Sequence, residues 1–370
     1  MNVQVPKNIS AITPYPPGKP IEELEREYGI SGSIKLASNE NPFGPSPAAV
    51  EAIRATLAGL HRYPDGSGYY LTQALADHLS IAPGRIVLGN GSNEIIEFLV
   101  KAFVCEGDEV ITSHPSFLMY QKFVQVRGGV NHVVELRDMI HDLESITRLV
   151  SERTRLIFLD NPNNPTATFL PYGRLESFLN GLADHVIVVL DEAYIDFVDE
   201  SVRYDTMALI DDVAGRCGVV LLRTFSKAYG LAGLRIGYGL MEEQIAVCLH
   251  KVRQPFNVNL IAQEAARAAL KDSDFYAKTL RLTAEGKEYL SREVEKLGCI
   301  SYPSQTNFFL IDVKGDATAL YEAMLKKGVI IRSMKAYGFD TFIRVNIGTS
   351  EENGRFVRAL GEALQECGYV

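Results

Sequence analysis

The chain has 370 residues, 46% of them apolar, enough for a large core and more than one domain usually holds, so one large and one smaller domain are expected. Its formal net charge of −9, with no Lys/Arg block, excludes a nucleic-acid surface, which needs clustered cations against phosphates, and favours small-molecule partners. No stretch approaches the roughly 20 uncharged apolar residues of a membrane helix, and the segment MNVQVPKNIS has no apolar signal core, so no membrane contact and a cytoplasmic location are expected.

Residues 1–45 are rich in Pro, Gly and Asn and read as an extended arm with one helix near Ile21–Tyr28, an arm that must lie on something to be ordered. Seven apolar, β-branched runs follow in alternation with helical periodicities: Ile86–Leu88, Glu109–Thr112, Val130–Leu136, Leu156–Asp160, Val186–Asp191, Val219–Thr224 and Ile236–Leu240. That rhythm predicts an α/β fold with a mainly parallel sheet between helices. Several runs are apolar at every position, as in strands covered on both faces. Residues 241–298 carry helices, among them Leu260–Leu270. Beyond Ser304 come strand Asn307–Val313, helix Ala317–Lys327, strand Val329–Arg332, strand Phe342–Ile347 and helix Glu351–Glu366, a compact α+β unit. The expected division is an arm at 1–45 that goes with the small domain, a large cofactor-binding domain at 46–270 and a small α+β domain at 271–370.

Cys105, Cys217, Cys248, Cys299 and Cys367 are odd in number, widely spaced and without a C-x-x-C pair, so reduced thiols, mostly in the core, are expected. The seven histidines form no H-E-x-x-H cluster, and no metal is expected.

Four runs carry chemistry. Gly89-Asn90-Gly91-Ser92-Asn93-Glu94 follows a strand and opens an amphipathic helix, whose free N–H groups and dipole suit a phosphate. Glu94 stands where a dinucleotide fingerprint has its third glycine, and a simple helix cap reads equally well. Asp160-Asn161-Pro162-Asn163-Asn164-Pro165-Thr166 ends a strand with several short amides; alone it could be an ordinary turn. Asp191, at the carboxyl end of a doubly covered strand, sits where open α/β sheets place ligands and needs a cation or a strong donor. Lys227, in Thr224-Phe225-Ser226-Lys227-Ala228-Tyr229-Gly230, lies beyond another strand end with Thr224, Ser226 and Arg235 nearby, surroundings that suit a Schiff-base lysine with a lowered pKa.

In this order and at these separations the four runs resemble the fold-type-I pyridoxal phosphate enzymes of the aspartate aminotransferase superfamily, over nearly the whole chain. The similarity is greatest to the histidinol-phosphate aminotransferase branch, through Leu36–Ser46 (LASNENPFGPS), Arg62-Tyr63-Pro64-Asp65, Ser226-Lys227-Ala228 with Gly233-Leu234-Arg235, and Ile343-Arg344-Val345. The resemblance implies a seven-stranded, aspartate-aminotransferase-like large domain and pyridoxal 5'-phosphate held by Lys227. It implies transamination between histidinol phosphate and 2-oxoglutarate, giving imidazole-acetol phosphate and glutamate in histidine biosynthesis.

The same resemblance distributes roles. Lys227 shuttles the proton at Cα; Asp191 partners the ring nitrogen; Asn164 and Tyr194 bind the phenolate oxygen. Ser92, Asn93, Thr224, Ser226 and Arg235 form the phosphate cup, and Phe117 stacks on the ring. Arg344 forks onto the substrate's anion. Arg332, Asn41 and Tyr15 join the substrate site, although a surface arginine and a packing tyrosine explain Arg332 and Tyr15 equally well. Tyr63 crosses to the neighbouring subunit of a homodimer.

Two departures stand out: Ala167 replaces a glycine, which implies that the backbone there keeps a negative φ, and Phe117 replaces a tyrosine. An aromatic-amino-acid aminotransferase or a threonine-phosphate decarboxylase of the same frame is the nearest alternative. A nicotinamide-dependent dehydrogenase would need an acidic residue after the next strand, where Thr112-Ser113-His114 stands. A pyridoxal-phosphate-binding regulator would need a preceding basic helix pair, which the chain lacks.

Overall fold

The computed structural model describes residues 3–14 and 18–370. Its centre is a seven-stranded sheet of β2 (Ile86–Gly89), β3 (Glu109–His114), β4 (Val130–Glu135), β5 (Thr154–Asp160), β6 (Ile187–Asp191), β7 (Gly218–Thr224) and β8 (Gly237–Met241), preceded in the chain by β1 (Ile34–Lys35). The order is β2-β8-β7-β6-β5-β3-β4, all parallel except β8, which runs antiparallel to both neighbours. Each predicted strand of this sheet is present, within about two residues at each end.

Alternate side chains of the strands enter two separate cores. Val188, Leu190, Val219, Leu221, Ile157 and Leu159 join one. Ile187, Val189, Val220, Leu222, Leu156 and Phe158 join the other. Period-2 alternation with apolar residues on both sides makes these runs apolar throughout. Helices cover both faces, Ser92–Phe103 on one and Leu260–Ala269 on the other.

Beyond the sheet lies helix Ser273–Lys296, whose Tyr276 and Leu280 pack on the first of these cores and whose Leu290 and Val294 belong to a further core. That core is built on the antiparallel sheet of β9 (Ile300–Ser301), β10 (Phe308–Asp312), β12 (Arg332–Ser333) and β13 (Phe342–Asn346), in the order β12-β13-β10-β9. The single strand expected at 329–332 is in fact two. β11 (Val329–Ile330) pairs in parallel with β1 of the arm, and only β12 joins β13. Ile331, fully buried between them, marks the switch from one sheet to the other.

The arm does lie on something. Helix Ile21–Tyr28 buries Leu24 against Leu325 and Ile330, and Asn8 donates to the carbonyls of Gln125 and Val126. The thiols are less buried than expected: Cys217 and Cys299 are in the core, Cys248 and Cys367 are half-buried and Cys105 is exposed. Cys105 lies on the tight turn 105–108 that precedes β3, and Cys248 and Cys367 lie on or beside surface helices. No described helix is long and apolar enough to cross a membrane, and no group of metal-ligating side chains occurs among the described residues.

Ala167 contradicts the expectation of a negative φ: its φ is 61°. Its N–H donates to Asn163 O at 2.9 Å, Asn163 N–H donates to Thr168 O at 2.8 Å, and Ala167 O accepts from Gln305 N–H. These bonds close a tight turn that holds an alanine in the left-handed region despite its Cβ.

Candidate active site

The carboxyl ends of β5, β6 and β7 and the start of helix Ser92–Phe103 converge on a cavity of about 400 Å³. Ser92, Asn93, Phe117, Asn164, Asp191, Tyr194, Thr224, Ser226, Lys227 and Arg235 all line it. It lies where open α/β sheets present loops to a ligand.

Its floor is an anion cradle. Gly91 takes φ 77° to start the helix, which has no side-chain cap, so its first N–H groups remain available. A Cβ on Gly91 would stand 2.7 Å from the Arg235 guanidinium, and one on Gly237 2.5 Å from Ser92 N. Arg235 itself has φ 58°, a strained backbone that turns its side chain toward this helix start. The Thr224 and Ser226 hydroxyls lie 3.0 Å apart, and Asn93 carries a buried side-chain oxygen with no partner. Glu94 serves elsewhere, accepting from Asn90 N–H and from Asn257.

Across the cavity Asp191 is 6% exposed. Its Oδ2 accepts from the Tyr120 hydroxyl at 2.9 Å and its Oδ1 from Ala193 N–H at 3.1 Å. Burial pushes its carboxyl up to about 7, against the hydrogen bond from Tyr120 and with help from neighbouring Asp160. Lys227 Nζ donates to Ser38 O at 3.2 Å and lies 5.7 Å from the Tyr194 ring centre. Burial, then the Arg344 charge, lowers the Lys227 amine to about 8. Two ionisable groups are thus poised near neutrality in one cavity, a hallmark of catalytic sites.

Burial raises Tyr194 to about 12, so its hydroxyl stays protonated and accepts from Asn39 Nδ2 at 2.9 Å. Arg344, 7% exposed, reaches the cavity through Asn164: one guanidinium nitrogen donates to Asn164 Oδ1 and another to Ala37 O at 2.9 Å. Phe117 meets Tyr120 edge-on, and Tyr120 stacks on Phe158 at 4.7 Å.

Three residues expected at the site stand apart from this group, and a fourth cannot be placed. Arg332 is the cross-strand partner of Arg344, half-buried and outside the cavity wall. Asn41 donates to Ala228 O at 3.0 Å and so clasps the loop after Lys227. Tyr63 is 82% exposed and stacked on Phe256. Tyr15 lies outside the described residues. Sequence reasoning missed Tyr120, Asn39 and Asp160 as members of the site. Tyr120 was signalled only by its place three residues beyond Phe117, with the start of helix Met119–Arg127 between them.

The family profile for aminotransferase class I and II matches residues 31–360. The chain belongs to the class I and II aminotransferases. This aminotransferase is 62% identical over 370 residues to the histidinol-phosphate aminotransferase of Desulfotalea psychrophila, covering 100% of the chain and 98% of that protein. With the Moorella thermoacetica histidinol-phosphate aminotransferase it shares 46% identity, over 96% of the chain and 92% of that protein. The crystal structure of histidinol-phosphate aminotransferase from Sinorhizobium meliloti in complex with pyridoxal-5'-phosphate superposes with a TM-score of 0.90 at 30% identity, covering 99% of each chain. The expected fold, an aspartate-aminotransferase-like α/β sheet, is the one observed.

Proposed function

We propose that this aminotransferase moves the amino group of histidinol phosphate to 2-oxoglutarate, using pyridoxal phosphate bound in the cavity at Lys227. The observation that carries the chemistry is the buried Lys227 amine at about 8 in the same cavity as the buried Asp191. Full-length identity of 62% to a histidinol-phosphate aminotransferase supports the choice of substrate.

The residues fit the cofactor. An uncapped helix start faced by the Arg235 guanidinium suits a phosphate, and a deep carboxylate with only neutral donors suits a protonated ring nitrogen. When bound, pyridoxal phosphate supplies an aldehyde carbon that exchanges between amines and a ring that takes up electrons.

Lys227, lowered toward neutrality, supplies the amine and then moves the proton at the donor's Cα. Asp191 holds a proton on the ring nitrogen's side. Tyr194 and Asn164 bind the ring oxygen, and Phe117 covers one ring face. Ser92, Asn93, Thr224, Ser226 and Arg235 hold the phosphate. Arg344 presents a planar fork to the anionic group of either substrate, phosphate ester or carboxylate. Arg332 is on the same sheet face as Arg344, because directly paired residues of neighbouring strands project together, and it offers a second cation. Asn41 and Tyr15 complete the substrate side.

A homodimer accompanies this reading. Tyr63, Phe256, Leu57, Leu60, Tyr69 and Tyr70 are all exposed, an apolar and aromatic group of the kind that subunit contacts cover, and Tyr63 would reach the partner's phosphate from it. The division into arm with small domain (1–45 and 271–370) and large domain (46–270) is supported by the separate cores. A cytoplasmic location is part of the same proposal.

An absorbance spectrum of the purified protein with each donor tests the function. Histidinol phosphate is expected to convert the bound cofactor's visible band to that of its amine form. Conversion by phenylalanine instead would favour an aromatic-amino-acid aminotransferase, and carbon dioxide release from phosphothreonine would favour the decarboxylase. Sedimentation of the holoenzyme as a monomer would remove the Tyr63 role.

A further inference from the structure

The cavity holds a second buried carboxylate that the reaction scheme above leaves unused. Asp160 is 3% exposed, lines the same cavity and is the direct partner of Asp191 in the β5–β6 pairing. Register partners on adjacent parallel strands project to the same face, so the two carboxylates stand side by side. Like charges at such a spacing repel; one of the pair takes up a proton, or a bound cation relieves the repulsion.

Among the described residues, the hydrogen-bond partners of the Asp160 carboxylate are neutral donors and an imidazole. Oδ1 accepts from Asn163 Nδ2 at 3.0 Å and Oδ2 from Asn164 N–H at 2.9 Å. His141, 2% exposed, places Nε2 3.3 Å from Oδ1 and 3.0 Å from the Asp160 carbonyl oxygen. A carbonyl only accepts, so Nε2 carries the proton. Ser113 Oγ stands 2.7 Å from His141 Nδ1, so both ring nitrogens are engaged and the ring is held in place. His141 therefore fixes the Asp160 rotamer.

Among the described residues, the other charged or titratable groups of the cavity around Asp160 are Asp191, Glu40, Tyr120, Tyr194, Lys227, Arg235 and Arg344, and Asn164 links Asp160 to Arg344, its N–H donating to the first and its side-chain oxygen accepting from the second. We infer that Asp160, aimed by His141, is a positioning residue of the cofactor site: it fixes the Asn164 loop and adds its negative charge to that of Asp191 where the ring nitrogen is held. This rests on the reading of Asp191 as the partner of that nitrogen. Two carboxylates then hold the nitrogen's proton more firmly than one. The upward push that Asp160 exerts on Asp191 is consistent with a shared negative field awaiting a cation.

The test uses holoenzyme reconstituted with pyridoxal phosphate labelled at the ring nitrogen, read by nitrogen NMR, together with the cofactor dissociation constant. Asp160→Asn keeps the size and removes the charge. It is expected to move the ring-nitrogen resonance toward its unprotonated position and to weaken cofactor binding on the order of tenfold, one pKa unit's worth. His141→Gln, which keeps the charge but loses the imidazole, should produce a smaller shift in the same direction. A lowered melting temperature with resonance and dissociation constant unchanged in Asp160→Asn would mean a merely structural role and overturn the proposal. Should Asp160→Asn not fold, an unchanged resonance and affinity in His141→Gln overturns it equally. Asp191→Asn is the control: if it leaves the resonance in place while wild type is protonated, the assignment of Asp191 fails and this inference falls with it.

Discussion

Asp191 and Glu192 are consecutive, both buried, and point to opposite sides of the sheet at the end of β6. Glu192 has its cation: Arg223 Nε donates to its Oε2 at 2.8 Å and another guanidinium nitrogen donates to Thr206 Oγ1 at 3.2 Å. Burial alone would lower Arg223, but Glu192 outweighs it and the guanidinium is held above its ordinary range. On that side lies a cavity of about 540 Å³, larger than the one at Lys227, lined by Arg223, Arg203, Asp196 and Tyr276. Both buried carboxylates here lie near guanidinium groups: Glu192 pairs with Arg223 through Oε2, and Asp196, which accepts from the Tyr276 hydroxyl at 2.8 Å, has Arg223 and Arg203 nearby. Among the described residues, Asp191 accepts hydrogen bonds only from a phenol and an amide. What separates the two sides is a guanidinium bonded to the buried carboxylate, not volume.

The largest effect expected falls on the amine that shares the cavity with Asp191. Lys227→Ala should retain the cofactor through its phosphate contacts and lose turnover by roughly 10⁴-fold or more, the upper range for removing an acid–base group that also supplies a nucleophile. Cofactor content and turnover, measured on the same sample, check this. Full activity would remove Lys227 from the chemistry.

The two carboxylates should respond to substitution with opposite signs. Arg223→Met strands Glu192 and is expected to destabilise the protein by about 3–5 kcal/mol, the usual effect of breaking a buried pair from one side. Asp191→Asn should instead stabilise the cofactor-free protein at pH 8, on the order of 2–4 kcal/mol, because a carboxyl raised from 3.8 to about 7 is ionised there only at a cost to the fold. The same substitution should weaken cofactor binding. Urea unfolding of the apoproteins compares the two. Equal destabilisation would erase the distinction between the two sides.

A pH series sharpens the same point. Between pH 3.8 and 7 the folded protein binds a proton at Asp191 that the unfolded chain releases, so the Asp191 contribution to apoprotein stability falls as pH rises through that window and is flat above it. The difference between wild type and Asp191→Asn in urea midpoint should therefore be small near pH 4 and grow to its full value by about pH 7. A difference independent of pH would mean that burial does not disfavour the Asp191 charge.

Much of this was legible in the sequence because the large sheet is covered on both faces. Its strands must be apolar at every position, and its ligand loops must follow their carboxyl ends, which put Asp191, Asn164 and Lys227 in one place. Tyr120 and His141 were not legible. Their partners, Asp191 and Ser113, lie 71 and 28 residues away, and neither residue type announces a hydrogen bond across the fold. The two-residue strands β1, β11 and β12 are too short to show a period, so the split at Ile331 appears only when the arm pairs with β11.

The backbone at Ala167 was misread for a related reason, and it yields the smallest effect. Residue preference ranks alanine against a left-handed φ, yet the turn closed by Asn163, Thr168 and Gln305 imposes 61° regardless of the side chain. A left-handed alanine costs about 1–2 kcal/mol. Glycine removes that strain but gives the unfolded chain more freedom, worth about 0.4–1 kcal/mol in the other direction. Ala167→Gly should thus stabilise the protein by roughly 0.5–1 kcal/mol with turnover nearly unchanged, since Asn164 keeps its bond to Asp160 either way. Thermal unfolding checks the sign. A destabilised Ala167→Gly protein would show that the turn, not the residue, sets the strain there, and that the 1%-exposed methyl group at 167 is worth more in the core than its backbone loses.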